Sequence, residues 1–418
     1  MASYTDIELS STAQSGGVTS VRNGGKGELH LSAEEHAVRA TVLEQWLLDN
    51  GAKFPKLEVH SYDEEFRGMH ASCDLPADER IIEVPLKCLI TVEMGKETPV
   101  GRAVVAADPD LDAPKHIYLM LFLLTDRLRA DSFFRPYYDM LPPSLSNMPV
   151  FWEDAKLAWL RGSFMVRQVA DRRAAIAADY AAVCEAYPPF TSTATLEDFM
   201  WARMIVCSRN FGIIVRNIRT AALVPYADML NHKRPRHTKW TYDNDAGAFA
   251  ITTLSGIAAG EQVYDSYGQK CNHRFLLNYG FSVEDNTEPA GNPNEVAMDF
   301  TLDAADPLLP VKHALWTNDQ GAALAGDTLA PFSDHRNAVI QVRGEKVVLR
   351  HIVEFAETGL ACIAAPTDEA ALALTTGVSE HARIYCTNII GHARRYSFMR
   401  ARPEQIACFE CCFEVFGL

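Results

Sequence analysis

A chain of 418 residues, 48% of them hydrophobic, is long enough for two or three domains with substantial cores. The formal net charge of -15 argues against nucleic acid or an anionic membrane surface as the main partner, and no apolar run approaches the roughly 20 residues that cross a bilayer. The ten cysteines fall without a disulfide-like spacing, which points to a reducing intracellular setting, the cytoplasm first, with nucleus and organelle left open.

Residues 1–29 are rich in Ser, Thr and Gly and lack an apolar signal core, and Asp6 and Glu8 speak against a transit peptide, so they read as a disordered tail. Residues 30–112 open with HLSAEEHAVRATVLEQWLLDNGA, a helix with Ser32 as its cap, Glu35 three residues on and Asn50-Gly51 as its stop. Short strands follow: KLEVHSYD, GMHASCD, RIIEVP and CLITVE. From 113 to 220 the apolar spacing turns helical in HIYLMLFLLTDRL, WEDAKLAWLRGS, DRRAAIAADYAAVCEAY and TLEDFMWARMIVCSRNF. Strands return between 221 and 283 as ALVPYADML, TKWTYD, GAFAITTL and EQVYDSY. Residues 284–418 begin with the turn-forming NTEPAGNPN, continue with the expected strands AVIQVRG and KVVLRHIVEF, and end in helical segments. Short strands split by a helical insert are unusual within one domain, and the split is itself informative.

Several common chemistries are absent. No GxGxxG follows a strand, so a dinucleotide site has no support. GGKGE at 24–28 lacks both the earlier glycine and the Ser or Thr after Lys26 that a phosphate loop needs. His232 and His237 have no carboxylate or cysteine at metal-ligand spacing. Cys408, Cys411 and Cys412 form a CxxCC cluster without a second half, which reads as a reduced core feature, and no metal is expected. No GxSxG elbow is present.

Three polar islands remain in apolar surroundings: Glu64 to Ala71, Ser208 to Phe211 with ALVPYADMLNH close behind, and EQVYDSYGQKCNHRFLLNYGF. Singly, each has a plain reading. Glu65 and Arg67 suit a solvated turn, Asp228 and Asn231 a turn closure, His232 a satisfied core histidine, and Tyr267 and Tyr279 core aromatics with bonded hydroxyls. In this order they are no longer independent. DMLNH followed about 35 residues later by YGxKxNxxxLLxYGF resembles the catalytic half of a SET-domain methyltransferase. FRGMHASCDLPADERIIEVPLKCLIT resembles the first half, and FFRPYYDMLPPSL in the insert is similar to the branch holding the Rubisco large-subunit lysine methyltransferase and the actin-histidine methyltransferase. The resemblance covers roughly residues 40–283. It implies an α+β fold: a SET β-domain interrupted by a helical insert and followed by a mainly helical, substrate-binding C-terminal lobe.

The resemblance also implies roles. S-adenosylmethionine is the expected cofactor and S-adenosylhomocysteine its product. Glu65, Phe66, Arg67 and Gly68 match the turn that wraps the cofactor, where a missing side chain lets backbone approach a ligand. Arg209 matches the arginine that meets its carboxylate. Asp228, Asn231 and His232 match the motif that holds its amino-acid and adenine ends. Tyr267 matches the catalytic tyrosine at the channel rim, where it also faces the substrate, and Tyr279 and Phe281 close the pocket. An arginine ahead of Trp46 is also implied, and His36 stands nearest to that position with Arg39 one turn on.

Methyl transfer from a sulfonium needs alignment, exclusion of water and a neutral acceptor, and alignment alone supplies roughly 7–11 kcal/mol. The branch contains lysine and histidine specificities. Histidine-modifying members resemble one another in an Asn two residues after the cofactor arginine and a Trp just before the Asp of the Asn-His motif, positions held here by Phe211 and Ala227. Phenylalanine cannot hydrogen-bond an imidazole, and alanine leaves room for a straight side chain. Phe211, Tyr226, Ala227, Tyr267 and Tyr279 are therefore expected to receive a lysine. No general base stands out, so the lysine proton is expected to leave through water before closure. The expectation is a monomeric lysine methyltransferase for a non-histone protein, with histidine as the alternative acceptor and a non-catalytic SET-like binding module as the alternative of another class. The lack of cysteines just after NYGF sets the chain apart from the zinc-tailed histone enzymes.

Overall fold

The computed structural model describes residues 33–62, 67–284 and 333–364, with single positions 286, 293, 294, 370, 373 and 374 beside them. The N-terminal tail with Ser32, the residues Glu65 and Phe66, the NTEPAGNPN turn for the most part, and the CxxCC cluster lie outside the described residues.

Helix α1 (Ala33–Asp49) buries Ala40, Leu43 and Leu47, one face at three- to four-residue spacing. It stops where expected: Gly51 takes a φ of +86°, and the Ala52 N–H reaches back to the Leu47 carbonyl at 3.0 Å. Three small sheets follow. Strands β1 (Leu57–Ser61), β2 (Arg67–Ala71), β7 (Asn231–His232) and β10 (Gln262–Asp265) form the first, in the order β1-β2-β10-β7. Strands β3 (Arg80–Pro85), β8 (Thr238–Asp243) and β9 (Ala248–Thr253) form the second, in the order β3-β9-β8. Strands β4 (Ile90–Thr91), β5 (Asn210–Val215) and β6 (Ile218–Leu223) form the third, in the order β4-β6-β5. One pairing organises the site. β10 runs parallel to β7, setting Tyr264 beside Asn231 and Asp265 beside His232.

Between β4 and β5 the chain is helical: α2 (Val92–Lys96), α3 (Pro99–Ala107), α4 (Pro114–Asp126), α5 (Arg135–Tyr138), α6 (Asp154–Leu157), α7 (Met165–Ala186) and α8 (Leu196–Arg209). α4 buries Ile117, Leu119, Met120, Leu121, Leu123 and Leu124, with both α2 and α8 packed against it. α8 is fixed at its start by a reciprocal cap between Thr195 and Asp198. After β10 come α9 (Asn272–Tyr279) and α10 (Asp334–Ala364).

The structure departs from the sequence reading in five places. The expected strand CLITVE keeps only Ile90–Thr91 as strand, since the Thr91 hydroxyl accepts the Met94 N–H and starts α2. The helical pattern of TLEDFMWARMIVCSRNF ends at Arg209. Asn210–Val215 is β5, joined to β6 through Arg216 and Asn217, both at positive φ (49° and 67°), in the two-residue turn geometry that suits a hairpin. WEDAKLAWLRGS is not one helix but α6 followed by a 3-10 turn at Ala158–Leu160. ALVPYADML is strand only to Leu223 and then turns, with Tyr226 at φ 72°. AVIQVRG and KVVLRHIVEF are not strands but one helix, α10. Its buried Asn337, Ala338, Gln341 and Glu345 recur at helical spacing, and docking against α9 overrides the strand preference of its valines and isoleucines.

Candidate active site

The site forms where the last residue of α8, the turn after β6 and the end of β10 meet. Arg209 closes α8, and its Nη1 donates to Asp228 Oδ2 at 3.1 Å and to the Asp228 carbonyl at 3.2 Å. The Tyr137 hydroxyl donates to the same Oδ2 at 2.8 Å. The Asp228 side chain has no exposure, and its other oxygen, Oδ1, has no hydrogen-bond partner among the described residues. A buried carboxylate oxygen left bare is costly unless something donates to it. Arg67, the first residue of β2, donates from Nη1 to the Met140 carbonyl at 2.8 Å. Burial pulls its pKa down to about 10, with the like charge of Arg209 adding to the effect. Burial works against Arg209 too, but Asp228 and then Tyr137 outweigh it and its pKa is raised.

The two short strands carry the next layer. Asn231 Nδ2 donates to the Arg67 carbonyl at 2.8 Å and to Gln262 Oε1 at 3.1 Å, tying β7 to β2 and β10. His232 Nδ1 accepts the Tyr267 backbone N–H at 3.0 Å, which leaves the ring proton on Nε2. Burial, with Arg234 and Lys270 nearby, pushes the pKa of His232 down to about 4, so the ring is neutral at ordinary pH. It stacks on Tyr267 with centroids 5.3 Å apart and lies 4.8 Å from the Phe275 ring.

The other end is aromatic. The Tyr267 hydroxyl donates to the Leu230 carbonyl at 2.9 Å, and its ring stacks on Tyr279 at 4.8 Å. Phe281 sits edge-on to Tyr267 at 6.2 Å and stacks on Phe275 at 5.2 Å. α9 ends at Gly280, with φ 79°, and a Cβ there would run into Asn147, so the glycine of NYGF is a steric requirement. Phe211 meets Trp240 edge-on at 5.5 Å and Phe249 at 4.9 Å. Burial raises the phenol pKa of Tyr267 and of Tyr279, so both keep their protons.

These two ends share one cavity of about 280 Å³. Arg209, Phe211, Ala227, Asp228, Tyr267 and Tyr279 line it, six sequence-derived residues drawn from α8, β5, the turn after β6, the loop after β10, and α9. Arg67, Asn231, His232 and Phe281 stand outside its lining, in contact with residues that form it or with one another. Gly68 is close to side chains: a Cβ there would lie 2.5 Å from the Tyr62 hydroxyl and 2.8 Å from Gln262. Tyr226 is away from the cavity lining. It is fully buried, with its ring 4.1 Å from Phe54 and its hydroxyl donating to Glu44 Oε1 at 3.1 Å. Arg39 donates to the Asp139 carbonyl at 2.8 Å and so ties α1 to the residue after α5. Residues not singled out in the sequence also line the cavity, among them Cys207, Trp240, Asp265 and Lys270. Alternation along β10 placed Asp265 on the face of the core residue Val263, a signal that was available. Trp240 reaches the site only because β8 packs beside β5, a non-local event. Among the described residues no group of three or more His, Cys, Asp or Glu could hold a metal ion, and no helix is long and apolar enough to cross a membrane.

Residues 67–268, just under half of the chain, match the family model described as SET domain. It is 31% identical over 255 residues to the actin-histidine N-methyltransferases of Callithrix jacchus and Homo sapiens, and 30% identical over 253 residues to that of Gallus gallus. These alignments take in 58–59% of this chain and 42% of each relative, so the chain spans less than half the length of the curated relatives it matches. Among solved structures it is similar to the SET domain of LSMT bound to lysine and AdoHcy, with a TM-score of 0.55, 20% identity, and coverage of 87% of this chain and 92% of that one. It is also similar to Rubisco LSMT bound to AdoMet, with a TM-score of 0.52, 20% identity, and coverage of 87% and 93%. The fold is thus SET-like, with the helical insert and the C-terminal helical region that the sequence implied.

Proposed function

We propose that the chain is an S-adenosylmethionine-dependent protein methyltransferase whose acceptor is a lysine side chain of a non-histone protein. The charged end of the cavity fits the amino-acid end of such a cofactor. Arg209 supplies a cation for its carboxylate. Bound there, the cofactor supplies an electrophilic methyl group on a positively charged sulfur. The protein's own residues then orient and enclose. The aromatic rings of Tyr267 and Tyr279 favour a cationic neighbour, the neutral His232 adds no opposing charge, and Tyr267 is held by Leu230.

The observation that carries the lysine reading is the pair Phe211 and Ala227 in one cavity with Trp240, Tyr267 and Tyr279. That wall offers aromatic faces for an ammonium or methylammonium, and Ala227 adds no side chain beyond its Cβ to the lining. Neither Phe211 nor Ala227 has a side-chain donor for an imidazole nitrogen. A histidine acceptor is the second reading, favoured by the curated relatives, which are named for that activity.

The test uses two pooled peptide libraries that differ only in a central Lys or His, with labelled S-adenosylmethionine, and reads the modified side chain by mass spectrometry. Label on lysine is the expected result, and label confined to histidine overturns the lysine reading. Failure of the protein to bind S-adenosylmethionine in a calorimetric titration would favour a non-catalytic module. With this reading go a cytoplasmic location, in keeping with the free cysteines Cys73, Cys88, Cys184, Cys207 and Cys271, a monomeric state, and a C-terminal lobe that docks the protein substrate. Fractionation of cells and sedimentation of the purified protein check the first two.

A further inference from the structure

We propose that Asp265 is the residue that takes the proton from the acceptor lysine as the methyl group is transferred, an inference that rests on the lysine reading. Transfer to an ammonium is impossible, because its nitrogen has no free electron pair, and a lysine arrives protonated, with a reference pKa of about 10.4. Something has to receive that proton. Two carboxylates line the cavity, and they are not equivalent. Asp228 is engaged by the Arg209 guanidinium and the Tyr137 hydroxyl. Asp265 is buried at 4% exposure and makes no ion pair among the described residues. Its polar support is the Thr238 hydroxyl, which donates to Oδ1 at 3.2 Å, and the Ser266 backbone N–H.

Position points the same way. Asp265 ends β10, beside His232 of β7 and two residues ahead of Tyr267, and it shares the cavity wall with Phe211, Ala227 and Trp240. The charged and titratable groups around it are few. Arg236 acts on it at a distance. His232 is neutral, with its pKa near 4, and Tyr267 and Tyr279 keep their protons. Cys207, Arg209, Asp228 and Lys270 complete the cavity's ionisable lining. Burial raises Asp265 to about 6, against smaller lowering effects from Ser266, Thr238 and Arg236. The carboxyl is therefore mostly ionised at neutral pH and yet far more basic than an exposed aspartate, which is what a proton acceptor at that pH requires.

The step balances. One ammonium proton passes to an Asp265 carboxylate oxygen, freeing the nitrogen's electron pair. That pair forms the new N–CH3 bond as the CH3–S bond breaks, and sulfur keeps the bonding electrons as a neutral thioether. The protonated Asp265 returns its proton to water once the products have left.

The two routes for the proton differ in their pH dependence. If Asp265 accepts it, the productive pair is ionised Asp265 with the ammonium form of lysine. The kcat/KM for lysine peptides then rises about tenfold per pH unit up to about 6 and stays level to about 9. If water takes the proton beforehand, only neutral amine reacts, and kcat/KM climbs about tenfold per unit through that whole range. The experiment measures initial rates with the pooled lysine peptides at saturating S-adenosylmethionine from about pH 5.5 to about 9, for the wild type and Asp265→Asn, with calorimetric S-adenosylmethionine affinity alongside. A level wild-type profile, a steep Asp265→Asn profile and unchanged cofactor affinity are expected. Matching steep profiles overturn the proposal while leaving lysine as the acceptor. Absence of label on lysine with the wild type overturns the lysine reading and this inference with it. Should Asp265→Asn not fold, Thr238→Val keeps the carboxylate and removes its hydroxyl donor. The bend near pH 6 then moves upward if Asp265 is the base, and an unmoved bend rejects it.

Discussion

The two ends of the cavity are built by opposite means. At one end Arg67, Arg209, Asp228 and Tyr137 bury charge and hold it with a network of ion pair and hydrogen bonds. At the other, Phe211, Tyr267, Tyr279 and Phe281 hold position by ring packing, with one hydroxyl bond from Tyr267 to Leu230. A buried charge network tolerates no missing partner, since removing one member strands the rest in low dielectric. Ring packing tolerates substitution more gradually. The charged end should therefore govern whether the domain folds, and the aromatic end which acceptor it takes.

The largest expected effect breaks the charged end. Asp228→Ala leaves Arg209 buried and unpaired beside Arg67 and should cost about 3–5 kcal/mol in urea unfolding. A loss below about 1 kcal/mol would show that the network is solvated and that the contrast between the ends is false. Next is acid. His232 binds a proton at about 4 in the folded chain and near 6.5 when unfolded, so the unfolded state takes up more protons between those values. Stability is lost as pH falls through that window, by about 3 kcal/mol from this residue. His116, also pushed down to about 4 by burial and then by Arg203 and Arg172, adds to the loss. In Asp265→Asn, which lacks that carboxyl's opposing titration, a midpoint in thermal unfolding that stays constant from about pH 7 to about 4 would contradict both neutral histidines.

Asp265 reverses the sign and sharpens the comparison, because it is the one acid at the aromatic end. Its folded pKa of about 6 lies above the ordinary 3.8, so the folded state holds the proton more tightly and stability falls as pH rises between the two. The cost persists above pH 6. Asp265→Asn removes the charge and should stabilise the ligand-free protein by about 1–3 kcal/mol at pH 8, with little difference from wild type near pH 4. Destabilisation by Asn at pH 8 would mean that the carboxylate is structurally required there.

How much of this was readable beforehand follows from what each residue answers to. Tyr267, Tyr279, Gly280 and His232 sit in local motifs whose spacing survives into the structure, and Gly280 is held by a steric clash that any side chain would meet. Phe211 and Ala227 were placed by their offsets from Arg209 and Asp228, and both line the cavity. Tyr226, one residue from Ala227, does not. The turn puts it at φ 72° and sends its ring to Phe54, a reversal that counting along the chain does not reveal. Trp240 and Asp265 depend on which strands become neighbours, and that is decided by pairing between segments far apart in sequence. The same holds for α10, whose β-branched residues favour a strand locally and whose face toward α9 favours a helix.

The smallest expected effect on folding, Tyr267→Phe, tests whether the aromatic end is more than packing. The change removes only a hydroxyl, and the stack on Tyr279 at 4.8 Å has no need of it. The lost bond to the Leu230 carbonyl should cost about 1 kcal/mol, readable as a small drop in thermal midpoint. The raised phenol pKa means that the group acts as a donor throughout ordinary pH and never as a phenolate. If its oxygen also orients the acceptor nitrogen, kcat should fall about 100-fold or more while S-adenosylmethionine affinity stays within about twofold, a split that packing alone cannot produce. Equal, modest losses in both would return Tyr267 to the role of a core aromatic, and the two ends of the cavity would then differ only in the forces that hold them.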